Sequence, residues 1–221
     1  MTARVLLLNP NSSVEVTAAA AGAASAVLDV PVHADQLADA PPAIESPDDH
    51  AVVAPLVVDY LRRHEADYHG VVLACHGDPG MREARAVAGC PVVGIGAASL
   101  HAAAALGERI AVLTPAAALV DPKWRQLTAA GLADRCVAVE PVAGGVLGGL
   151  GADADPEPFV RAAEKAVTAG ADAIVLGCAG YVAVAERVQE RVDAVVVEPV
   201  SVAAAVLRAV LRRADRGASD N

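Results

Sequence analysis

Two short stretches of the chain are near copies of one another: Val71-Val72-Leu73-Ala74-Cys75-His76-Gly77 and Ile174-Val175-Leu176-Gly177-Cys178-Ala179-Gly180. Each is a run of apolar, largely β-branched residues closed by a cysteine, with a glycine two positions further on. Runs of this length and composition read as buried strands. A strand that is apolar without alternation is covered on both faces, so helices must flank it. The surrounding spacing repeats too. Pro10 to Cys75 is 65 positions and Pro115 to Cys178 is 63, while Cys75 to Pro91 and Cys178 to Ala194 are both 16. The chain therefore reads as two related halves of four strands, a Pro closing the first strand of each and a Cys the third.

The remaining sequence fits that frame. Strands are expected at 4–8, 30–33, 70–74, 91–94, 109–113, 136–139, 173–176 and 194–197. Helices are expected near 13–28, 48–65, 79–88, 97–106, 121–131, 156–169, 180–192 and 199–214. Ser12 with Glu15 has the pattern of a capping box. Ser46-Pro47, Asp78-Pro79, Asp121-Pro122 and Asp155-Pro156 each set a capping side chain before a proline suited to a first helical turn. Eight such units are compatible with a closed (β/α)₈ barrel or with two facing α/β sheets. At 221 residues a barrel would be small, so two parallel sheets flanked by helices are preferred. The stretch 144–151 is rich in glycine; it lacks the Lys-Ser/Thr ending of a phosphate loop and reads as a flexible connection. The polar tail 215–221 is expected to fray.

Composition excludes several roles. The net charge is −10, aromatic residues make up 2%, and no basic stripe is present, so nucleic acid is not an expected partner. The longest apolar region, 194–211, is broken by Glu198, Pro199 and Arg208, so no membrane span is expected. Val5–Leu8 is too short for the core of an export signal. A cytoplasmic location is therefore expected, with all 4 cysteines reduced. The cysteines lack C-x-x-C spacing, so no metal site is expected.

In open parallel sheets ligands sit beyond the carboxyl ends of the strands. Cys75 and Cys178 both fall there, each before an expected helix start whose N–H groups favour anions and lower a thiol's pKa. If a pseudo-twofold axis relates the halves, the thiols face one cleft from opposite sides. One could then remove a proton from a carbon and the other return it to the opposite face. The plain alternative is that each is a small buried apolar residue; Cys90 and Cys136 are assigned to the core on that ground. Asn9 and Asn11 after the first strand either hold a polar group of a ligand or fix a turn, and Thr114 holds the equivalent place after the fifth strand. His76 is either a ligand contact or an exposed loop residue. Asp78 reads as a helix cap. Glu198 either faces the cleft or starts the last helix. His33, His50, His64, His69 and His101 are assigned to surface or core.

Together these residues resemble the aspartate/glutamate/hydantoin racemase superfamily, specifically its hydantoin and allantoin racemase branch. The matching pieces are Leu8–Ser13, Ile44-Glu45-Ser46, Cys75–Gly80, Pro91–Gly96 and Ala173–Gly180. The resemblance implies two α/β domains, 1–95 plus 199–221 and 96–198, with the site in the cleft between them. It implies Cys75 and Cys178 as the acid/base pair of a racemase needing no metal or other cofactor, and a homo-oligomer acting on a small molecule. It makes Asn9, His76, Gly77, Thr114, Ala179 and Gly180 the expected substrate contacts. Acidic amino-acid racemases of the superfamily usually follow the cysteine with Asn-Thr or Thr-His. Here His76-Gly77 and Ala179-Gly180 follow, which favours a neutral cyclic substrate such as a 5-substituted hydantoin or allantoin. The alternatives are an aspartate/glutamate-type racemase, a related isomerase or decarboxylase, and a non-catalytic ligand-binding protein.

Overall fold

The computed structural model describes residues 4–64 and 66–219, with side chains as far as Arg212. The described residues form two separate four-stranded sheets, every pairing parallel. The first holds β1 (Val5–Asn9), β2 (Val32–Gln36), β3 (Gly70–Leu73) and β4 (Val92–Gly94) in the order β2-β1-β3-β4. The second holds β5 (Ile110–Thr114), β6 (Cys136–Pro141), β7 (Ala173–Leu176) and β8 (Val195–Val197) in the equivalent order β6-β5-β7-β8. Both sheets are open, so the barrel is set aside. The central strands β1, β3, β5 and β7 are buried along their whole length, as their unbroken apolar runs require.

The helices are α1 (Val14–Val27), α2 (Pro47–Arg63), α3 (Met81–Val87), α4 (Ile95–Leu106), α5 (Val120–Ala129), α6 (Glu157–Thr168), α7 (Ala185–Gln189) and α8 (Pro199–Ser219). Ser46 and Asp49 complete a capping box on α2, with Ser46 Oγ accepting from the Asp49 N–H at 3.1 Å and Asp49 accepting from the Ser46 N–H at 2.9 Å. At α1 the cap is Ser13 rather than the expected Ser12. The Asn11 carboxamide accepts the Ser13 N–H at 2.9 Å, which carries the turn one residue further before the helix starts. Asp121 caps nothing; it lies inside the first turn of α5. The helix expected at 180–192 is a 3₁₀ segment, Ala179–Val184, followed by the short α7. Gly180 and two β-branched valines weaken its α-helical preference. The tail expected to fray is helical as far as Ser219, beyond which it lies outside the described residues.

One buried cluster joins the two sheets, running from Val5 and Leu7 through α1 and α8 to Leu113 and Ile174. The opposite face of each sheet has its own cluster. Helix α8 follows β8 in the chain yet packs back on β3 and β4 of the first sheet. It comes so close that a Cβ at Gly70 would stand 2.8 Å from Leu207 Cδ1. No helix among the described residues is long and apolar enough to cross a membrane.

Candidate active site

The strand order fixes where a ligand can sit. From β1 the chain moves to β2 on one side and later to β3 on the other, so the topological switch point lies between β1 and β3. The same holds between β5 and β7. Crevices open at the carboxyl ends of such strand pairs. Register sets Leu8 beside Leu73 and Leu113 beside Leu176. Asn9 and Cys75 therefore leave the first sheet at its switch point, and Thr114 and Cys178 leave the second at its own. Cys75 and Cys178 line a single cavity of about 30 Å³, with Gly77 and Ala179 beside them. A larger depression of about 590 Å³ lies over α2 near Asp59 and Arg62, away from both cysteines and from both switch points.

Burial dominates the chemistry of the two thiols. It pushes Cys75 up to about 11 and Cys178 up to about 12. The Gly77 N–H works against this at Cys75, as does the Gly180 N–H at Cys178, where it donates to Sγ at 3.3 Å. The expectation that a helix start would lower both pKa values is corrected: α3 begins only at Met81, and a 3₁₀ segment follows Cys178. At neutral pH the free protein holds both as thiols.

The strongest local cation escaped the sequence reading. Lys123 of α5 is 5% exposed, and its Nζ donates to His76 Nδ1 at 2.6 Å. An ammonium can only donate, so Nδ1 accepts and Nε2 carries the ring proton toward Ser99 Oγ at 3.2 Å. Ser99 Oγ in turn donates to the Ile95 carbonyl at 2.6 Å. His76 is 2% exposed, so the exposed-loop reading is set aside. Burial, and then Lys123 beside it, hold it neutral. Burial also brings Lys123 down to about 8. The missed signal was periodicity: Lys123 sits between Val120 and Leu127 on the core-facing stripe of α5.

The other expected residues divide. Asn9 is not in the cavity lining. Its Nδ2 donates to Asn11 Oδ1, the Ser13 carbonyl and Thr17 Oγ1 at 2.7, 3.2 and 3.0 Å, so it builds the turn that presents Asn11 to the cavity. Thr114 is fully buried, and its Oγ1 has no hydrogen-bond partner. Gly180 is engaged through its N–H to Cys178 and, like Thr114, stands outside the lining. Gly77 makes room for His50: a Cβ there would stand 1.6 Å from His50 Cε1, so the imidazole would have to move. His50, which the sequence assigned to surface or core, thus covers the cavity. Asp78 does not cap α3, whose cap is Gly80. It adopts a left-handed backbone (φ 48°) and reaches across to α4, accepting from the Gly96 and Ala97 N–H groups at 3.1 and 2.7 Å. Glu198 caps α8 by accepting from Val200 and Ser201 at 2.7 and 2.8 Å.

The glycine-rich stretch is not a free loop. It carries a 3₁₀ turn, Val146–Gly149. The Val146 N–H donates to Glu45 Oε1 at 2.7 Å and Tyr181 Oη to the Gly145 carbonyl at 3.3 Å, so both halves of the chain hold it. Among the described residues no group of 3 or more His, Cys, Asp or Glu side chains is placed to hold a metal ion.

The two α/β lobes thus each bring a thiol from a switch point to one cavity. The model of the Asp/Glu/hydantoin racemase family matches residues 5–207. A hydantoin racemase of Rhizobium meliloti is 32% identical over 213 residues, covering 93% of this chain and 87% of its own. A hydantoin racemase of Paenarthrobacter aurescens is 28% identical over 214 residues, covering 94% and 91%. Among solved structures, the allantoin racemase from Klebsiella pneumoniae superposes with a TM-score of 0.89 at 27% identity, covering 96% of this chain and 89% of that one. The chain belongs to the Asp/Glu/hydantoin racemase family, and its activity class is that of a racemase.

Proposed function

We propose that the chain racemises a five-membered cyclic ureide, a 5-substituted hydantoin or an allantoin-like ring, by proton transfer between Cys75 and Cys178 without a cofactor. One observation carries the reading: the two sulfur-bearing residues line one cavity from two different sheets. The ring's C5–H lies next to a carbonyl, so the anion left by its removal is delocalised as an enolate. The Cys75 thiolate takes that proton and becomes a thiol; the Cys178 thiol gives its proton to the other face and becomes the thiolate. The reverse reaction exchanges the roles. Burial makes each thiolate scarcer but a stronger base, which suits removal of a carbon-bound proton.

In this reading the Thr114 hydroxyl, which lacks a hydrogen-bond partner and lies outside the cavity lining, becomes a ring contact when the cavity widens around the substrate. Gly77, Ala179 and Gly180 offer backbone close to the two sulfurs, while His76 and Asn9 act by positioning Lys123 and Asn11. A cavity of about 30 Å³ is water-sized, so the ring enters as the outer side chains His50 and Leu119 shift toward solvent.

The test is optical rotation and C5 deuteration of L-5-benzylhydantoin in D₂O, measured against a protein-free control. Wild type is expected to erase rotation and install one deuteron without added cofactor. Cys75→Ala and Cys178→Ala should each slow racemisation by about a hundredfold or more. One of them can retain exchange of a single enantiomer. L-aspartate and L-glutamate should not turn over. No deuteration by wild type above the control would defeat the reading.

A further inference from the structure

Lys123 is buried without a counter-ion. An ammonium has three donors. One reaches His76 Nδ1 at 2.6 Å and one reaches Gln126 Oε1 at 3.4 Å, both uncharged acceptors. Lys123 forms no ion pair among the described residues. The Asp78 carboxylate acts on Lys123 without pairing with it, being engaged by the Gly96 and Ala97 N–H groups. A buried cation without an ion-pair partner is costly, and a bound anion would offset that cost.

The space around it points the same way. The inner cavity at the cysteines adjoins an outer one of about 190 Å³, and both are lined by His50, Gly77, Leu119 and Lys123. The outer cavity adds Arg125 and Gln126. Neither lining includes an Asp or Glu. This is an electropositive chamber in a chain of net charge −10. It adjoins the cavity that the thiols line, within reach of a substituent on a ring held there.

Building on the racemase reading, we propose that the substrate ring carries an anionic substituent, a carboxylate, and that Lys123 binds it at the boundary of the two cavities with Arg125 at the outer rim. The reacting ring stays a neutral ureide; the charge sits on its side arm. Lys123 is then the specificity-determining residue, and the His76–Ser99 chain is what holds its ammonium in place.

The experiment compares 5-(2-carboxyethyl)hydantoin with its amide, 5-(2-carbamoylethyl)hydantoin, which has the same size and no charge. Wild type is expected to show a KM for the acid lower by about tenfold or more, the worth of one charge-assisted hydrogen bond. Lys123→Met should collapse the acid-to-amide ratio toward one, whatever its absolute rate. Equal KM values in wild type, or a Lys123→Met effect of equal size on both compounds, would overturn the proposal. If the variant does not fold, the wild-type comparison still decides. If neither compound is racemised, the racemase reading has failed separately. Calorimetric binding of the same pair to wild type then decides the charge question: tighter binding of the acid supports it, and equal or absent binding ends it.

Discussion

A cysteine at the end of a parallel strand feels two opposed influences, backbone N–H groups that favour thiolate and burial that favours thiol. Burial wins at both sites here, with Cys75 near 11 and Cys178 near 12. Iodoacetamide should therefore alkylate Cys75 in the ligand-free protein at pH 7.5 more slowly than free cysteine, by about tenfold or more. Peptide mass spectrometry should find Cys178 slower still, and both rates should climb with pH. Fast modification at neutral pH would mean that the thiolates are better stabilised than the geometry allows. Thr114 presents the converse case, a buried hydroxyl with nothing to bond. Thr114→Val should leave stability unchanged or raise it by up to about 1 kcal/mol, because an unsatisfied group is removed. Activity should fall by about tenfold. A loss of stability in thermal melts would show that the hydroxyl has a protein partner.

Elements were legible in sequence wherever one local force decides. The four central strands appear within a residue of their expected bounds because nothing but a doubly covered strand suits so long an apolar run. Ser46 caps as expected because both halves of its capping box are local. Asp78 was misassigned because its partner lies 18 residues away on another helix. Its carboxylate ties the Cys75 turn to the start of α4, at the cost of a left-handed backbone for a non-glycine residue. Asp78→Asn keeps the tolerance for that backbone but offers one acceptor oxygen to two N–H groups, so one of the Gly96 and Ala97 N–H groups loses its partner. It should cost about 1 kcal/mol. That corresponds to a fall of roughly 2–4 °C in Tm by calorimetry. An unchanged Tm would show that the cross-link carries no weight.

For the molecule as a whole, Lys123 links folding to the cleft. Its pKa is lowered from 10.5 in the open chain to about 8 in the fold, chiefly by burial. The unfolded chain therefore binds more protons through that interval, and stability rises with pH across it. The thiols act oppositely as pH approaches and passes their reference value of 9.0, and Cys90 and Cys136 are raised along with Cys75 and Cys178. Between pH 7.5 and 9 the urea midpoint of wild type should therefore rise relative to that of Lys123→Met, which keeps the thiols and lacks the lysine. A constant gap between the two profiles would contradict the buried, unpaired cation. The succession of strands along the chain, the duplication of the halves and the placing of the two cysteines at strand ends were written in the sequence, because hydrophobic periodicity and strand-end punctuation act over a few residues. The unpaired state of Lys123, the hydrogen bonds that occupy His76, and the withdrawal of Asn9 behind Asn11 were decided only by tertiary structure. Each depends on groups that meet across the cleft or across a turn, and burial there changes the balance between charged and neutral forms in a way no local pattern records.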